Sequence, residues 1–141
     1  LPPNVHTVGH VFTRDHNAFN VSPRAILNVN RDSMARYGFS PPTRIFEAAG
    51  AGACIVTDRW DGIELFLEPE REILVAGSGA ELADQLAALS EERAAKIGQA
   101  AQRAVLDKHT YAQRVLQLEA ALAGSTPAQH AAALASEGAA S

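Results

Sequence analysis

Cysteine, aromatic residues, long apolar runs and basic stripes are all scarce in this chain. Its single cysteine, Cys54, excludes an intrachain disulfide framework and a cysteine-rich zinc site, and suits a reducing, cytoplasmic compartment. The apolar runs are far shorter than the ~20 residues that span a bilayer, so no membrane helix is expected. Twelve Lys and Arg stand against sixteen Asp and Glu, for a net charge of −4. The phosphate neutralisation that drives duplex nucleic-acid binding is therefore missing, and no nucleic-acid partner is expected. The chain opens at Leu1-Pro2-Pro3, with neither methionine nor a signal-peptide pattern. It reads as part of something longer. What is present is a globular composition, 47% hydrophobic and 20% charged over 141 residues. One domain of that size buries about two-thirds of its chain surface without help from disulfides or metals.

Three nearly continuous apolar runs, 25–29, 53–57 and 73–76, suit strands buried on both faces, as in a parallel sheet covered by helices. Val5 to Val11 is a more mixed fourth candidate. Thr43 to Ala51 carries Ile45, Phe46 and Ala49 on one side and runs into Gly50-Ala51-Gly52, a helix stop. Ser78-Gly79-Ala80-Glu81 is a capping box, with Leu82, Leu86 and Leu89 following at helical spacing. Ser90-Glu91-Glu92 opens a helix whose inner face is Ile97, Ala101 and Val105. Thr110 caps a last helix that ends at Gly124. Strands alternating with helices imply an α/β, Rossmann-like parallel sheet flanked by helices. Residues 1–124 form that domain. Residues 125–141, rich in alanine, serine and glycine, bury too little to order themselves and are expected to be a disordered tail.

Ligands of open α/β sheets bind at the carboxyl ends of strands and the N-termini of the helices that follow. Three loops meet that rule: Asn28 to Asp32, Ser40 to Arg44, and Thr57 to Gly62. Arg44 and Glu47 are three apart and share a helix face. They suit a grip on a phosphate and a sugar hydroxyl, or else a simple intrahelical ion pair. Gly77-Ser78-Gly79 follows a strand, but Leu82 takes the third glycine position of a dinucleotide fingerprint, so no Rossmann cofactor loop is assigned. His6, His10, Asp15 and His16 lie in a segment read as strand and loop and supply no compact metal set. Cys54, inside an apolar run, reads as inert core.

From Asn28 to Arg114 the sequence resembles the C-terminal half of GT-B glycosyltransferases, and most closely the CgeB-like branch of the group-1 family. The resemblance is carried by Leu27-Asn28-Val29-Asn30-Arg31, then by Arg44-Ile45-Phe46-Glu47-Ala48-Ala49-Gly50-Ala51-Gly52-Ala53. Thr57-Asp58, Glu70 to Leu74, and His109-Thr110-Tyr111 with Arg114 follow in order. It implies a domain that binds a nucleotide-diphosphate sugar, needs no further cofactor, and faces a separate N-terminal acceptor domain across a cleft. It also implies that a first strand–helix unit lies outside this chain, which alone would not turn over. Glu47 matches the family glutamate that bonds the donor ribose. Where an earlier family glutamate would stand there is Phe39, and Ser40-Pro41-Pro42 replaces the usual glycines. Arg44 and Arg31 are the substitutes for the positive field that fewer backbone N–H groups leave wanting. The donor-binding set implied is Glu47, Arg44, Arg31, Asn28, Asn30, Thr43 and Asp58. The missing glutamate at 39 also fits a second reading, a nucleotide-binding or interaction module that does not catalyse.

Overall fold

The computed structural model describes residues 2–129 and 132. The chain divides into two compact units, Leu1–Ala104 and Val105–Ser141.

The first unit is built on a three-stranded parallel sheet of β1 (Ile26–Asn28), β2 (Ile55–Asp58) and β3 (Leu74–Ala76), side by side in that order. β2 and β3 are buried on both faces, which is why their sequences run apolar without alternation. β1 departs from the same expectation. It is an edge strand, and Leu27 and Val29 stay exposed. The mixed segment 5–11 forms no strand; Val5 and Val8 lie in exposed irregular chain.

Before β1 comes a short helix, α1 (His16–Val21), and between β1 and β2 come α2 (Asp32–Tyr37) and α3 (Thr43–Ala51). α3 has the bounds its sequence announces. Ile45, Ala48 and Ala49 are buried against β1 and β2, and Gly52 takes φ 90°, the left-handed turn that ends the helix. β2 reaches β3 through a 3₁₀ turn, Ile63–Leu65, rather than an α-helix. α4 (Gly79–Ala88) follows β3. Ser78 caps it by accepting from the Glu81 amide at 3.2 Å, but the Glu81 carboxylate reaches Gly77 N (2.7 Å) rather than closing the box on Ser78. α5 (Glu91–Lys108) begins where Ser90 Oγ accepts from Arg93 N at 3.1 Å.

Cys54, Val56, Leu74, Leu89, Ala94 and Ile97 form a core between the sheet and α5. Fully burying a large aliphatic side chain contributes roughly 1.5–3 kcal/mol. Burial, partly offset by the Arg93 charge, pushes the Cys54 thiol up to about 11. So little thiolate forms near neutrality that this cysteine is packing rather than nucleophile.

The second unit contains α6 (Tyr111–Leu122), opened by a reciprocal capping box between Thr110 and Gln113 and followed by Gly124 at φ 65°. Residues 127–129 make a helical turn, with Thr126 N donating to Gln129 Oε1 at 2.9 Å. Most of the segment expected to be a disordered tail lies outside the described residues.

Candidate functional site

Parallel strands in register leave a sheet along one edge. Here Asn28 of β1 pairs with Thr57 of β2, and Asp58 pairs with Ala76 of β3. The loops after all three strands therefore emerge together, at the carboxyl edge where α/β sheets hold ligands.

A polar cluster ties the first two exits. Asn28 Nδ2 donates to Thr57 Oγ1 (3.1 Å), and Thr57 Oγ1 donates to Asp58 Oδ1 (3.2 Å). The same carboxylate oxygen accepts from the Asn30 backbone N and from Asn30 Nδ2, both at 3.1 Å. Asn28 and Thr57 are 2% and 0% exposed. Buried polar groups are costly unless paired, and these are paired with one another. The cluster thus fixes the Asn30 and Asp58 side chains in place before any ligand arrives. Asp58 Oδ2 has no partner among the described residues, which leaves one oriented acceptor at the sheet edge.

Beside β1 lies a cleft of about 400 Å³ whose walls include His16, Phe19, Leu27, Arg44 and Glu47. α3 turns its small buried residues to the sheet, while α1 packs alongside it. Arg44 and Glu47 thereby face the space between α1 and β1. Both are exposed, and among the described residues neither has an ion-pair or hydrogen-bond partner. The intrahelical ion pair that their spacing allows is not formed. Pro42 stands at the α3 N-cap with no side-chain cap, so the positive end of the helix is open next to Arg44. His16 Nε2 lies 2.9 Å from Val11 O, which holds the ring at the cleft wall.

The structure thus gathers the sequence-predicted residues into two adjoining groups. Asn28, Asn30 and Asp58 share the cluster, Arg44 and Glu47 share the cleft, and β1 runs from one to the other through Leu27 and Asn28. Arg31, at the N-cap of α2, and Thr43, the first residue of α3, belong to neither group. Both are exposed and without side-chain partners among the described residues. Two contributors, Phe19 and His16, were not expected at the site; they belong to a helix whose six residues carry no periodic signal. Thr57 opened one of the three candidate loops, but its link to Asn28 depends on the β1–β2 pairing. Among the described residues, no three His, Cys, Asp or Glu side chains gather as a metal site would require.

A family model described as glycosyl transferase-like matches residues 2–120. No curated protein and no solved structure matches the chain.

Proposed function

The chain belongs to the glycosyl transferase-like family, and from that premise we propose that its α/β unit binds a nucleotide-diphosphate sugar and presents it for transfer to an acceptor. One observation carries the reading: Arg44 and Glu47 line one cleft, unpaired, beside the open N-terminus of α3. A guanidinium and a helix N-terminus suit a diphosphate. A carboxylate about one turn further along suits the vicinal hydroxyls of a ribose. Asn30 and Asp58, held by their cluster, supply further polar contacts at the sheet edge. Arg31, at the N-cap of α2, and Thr43, the first residue of α3, are kept in the proposed donor-binding set on the sequence resemblance alone.

Transfer would be substitution at the anomeric carbon. The bond from that carbon to the diphosphate oxygen breaks as the acceptor oxygen bonds to it, and the acceptor proton leaves to a base. Negative charge builds on the departing diphosphate, and that is the charge Arg44 and the α3 terminus are placed to stabilise. The acceptor and the base would come from a facing domain. The order of the motifs from Asn28 to Arg114 supports placement in the CgeB-like branch. The one buried free cysteine supports a cytoplasmic setting. Among the described residues no helix is long and apolar enough to cross a membrane.

Phe39, standing where a family glutamate would be, favours the second reading, in which nucleotide is bound without transfer. Both readings require the same cleft. Arg44→Ala is therefore expected to weaken a nucleoside diphosphate by about tenfold or more while barely changing the free nucleoside, since the lost contact is to phosphate. Calorimetric titration of both ligands measures the difference. Equal losses for the two would remove Arg44 from the diphosphate.

A further inference from the structure

α6 carries apolar residues on two opposite sides. On one side Ala120 is fully buried, with Gln113 and Leu116 half-buried beside it. At 3.6 residues per turn, Tyr111, Val115, Leu118 and Leu122 fall together on the other side. They are 90%, 51%, 61% and 80% exposed. Side chains of this kind at helical spacing ordinarily form the face that a helix turns inward, and here they form one outward stripe. Their intervals are four, three and four residues, the alternation of a two-helix seam. The stripe has a charged residue on each flank. Arg114 lies along one side and Glu119 along the other, and both are exposed. The remaining flanking positions are Ala112 and Ala121, which are small and neutral. The Arg114 guanidinium bonds Gln117 Oε1 at 2.7 Å and lies 2.8 Å from His109 Nδ1, so the side chain is held along its flank.

We propose that this stripe is a self-association surface, on which α6 of a second copy of the chain packs in parallel. Charge chooses both the partner and the direction. In a parallel pair, a residue just before one seam position faces the residue five further along on the partner, on the opposite flank. Arg114 and Glu119 are five apart, so each Arg114 meets the other copy's Glu119, once on either side of the seam. In an antiparallel pair the same flanks meet themselves, arginine on arginine and glutamate on glutamate, and repel. One positive and one negative flank also lack the basic rim that a helix lying on an anionic lipid surface carries. Exposed ion pairs add little affinity; they select the orientation, while the four apolar side chains supply the attraction. The helix needs no ordering at that moment, because the Thr110–Gln113 capping box and the burial of Ala120 already hold it. A seam of three turns falls in the small class of interfaces, below about 1,200 Å² in total, so the association is weak and concentration-dependent.

Sedimentation equilibrium of the full chain, over a concentration series reaching the millimolar, measures the association, and a monomer–dimer equilibrium is expected. Leu118→Gln should weaken it at least about tenfold. Leu118 is exposed, so the polar side chain carries no folding penalty, and far-ultraviolet circular dichroism should match the wild type. Arg114→Glu and Glu119→Arg should each weaken the dimer about three- to tenfold, because like charges then face each other on both flanks. The double variant, Arg114→Glu with Glu119→Arg, should return it to near the wild-type value, which variants that merely misfolded would not do. A chain that stays monomeric throughout would overturn the dimer and leave the stripe to another partner. A dimer that Leu118→Gln leaves intact would put the interface elsewhere and overturn it as well. Sensitivity to Leu118→Gln without restoration in the double variant would overturn the parallel pairing, and with it the proposal.

Discussion

Replacing Glu47 by alanine is expected to weaken nucleoside diphosphate binding by about ten- to a hundred-fold, and to weaken the free nucleoside by the same factor. Hydrogen bonds to a charged group contribute roughly 1.5–3 kcal/mol, and tenfold in affinity corresponds to about 1.4 kcal/mol. The ribose is common to both ligands, which is why the two losses should match; Arg44→Ala should separate them. Glu47→Gln keeps the shape and one acceptor oxygen, so it should cost less than Glu47→Ala. Stability should hardly change, because Glu47 is exposed and forms no ion pair with Arg44. Calorimetric titration alongside thermal melting separates the two effects. Lost stability with unchanged affinity would make Glu47 a structural residue.

The second large effect is expected at Gly98, which is buried in α5. A Cβ there would run into the Gly52 carbonyl oxygen and lie 3.1 Å from the Ala53 carbonyl carbon. Both are backbone atoms at the turn between α3 and β2, so no side-chain rotation relieves the clash. Nearby, Gln102 Nε2 donates to Gly50 O at 3.0 Å, which ties the same turn to α5. Alanine in place of glycine inside a helix gains about 1 kcal/mol from propensity. Overpacking of a tight contact costs about 1–3 kcal/mol and sometimes more. The clash is with rigid backbone, so it should win, and Gly98→Ala should lower the melting temperature by several degrees. Gln99→Ala, at an exposed position in the same helix, should leave it nearly unchanged or slightly higher. A Gly98→Ala protein as stable as the wild type would mean that α5 does not approach the α3–β2 turn so closely. Because that turn anchors α3, the same variant should also loosen the cleft that holds Arg44 and Glu47.

Much of this arrangement could be read from residues alone, and the failures have physical causes. α3 was legible because its apolar positions repeat at helical spacing and Gly52 supplies the left-handed stop. β2 and β3 were legible because strands buried on both faces leave a run without polar interruption. β1 shows the same kind of run, yet Leu27 and Val29 are exposed while β3, equally at an edge, is buried: nothing in a local sequence tells which strand its neighbours leave uncovered. α1 and α2, six residues each, are too short for periodicity to distinguish them from loop, since isolated helices of that length owe their existence to packing. The site divides in the same way. Asn28, Asn30 and Asp58 followed from the rule that ligands sit at strand ends, and Arg44 and Glu47 from their spacing on α3. Whether Arg44 and Glu47 pair with each other depends on side-chain directions set by α1 and β1, and only the folded chain answers it. Thr57 could be placed at the end of a strand, but its role as the link between Asn28 and Asp58 depends on the β1–β2 register.

The most direct measurement is a nuclear magnetic resonance titration of the full chain with a nucleoside diphosphate, following backbone amides and the side-chain amides of Asn28 and Asn30. The account predicts saturable shifts concentrated at Asn28 to Arg31, at Thr43 to Glu47 and at Asp58, with Phe19 and His16 responding on the opposite wall of the cleft. Saturable binding whose shifts leave Arg44 and Glu47 unmoved, or no saturable binding at all, would contradict it.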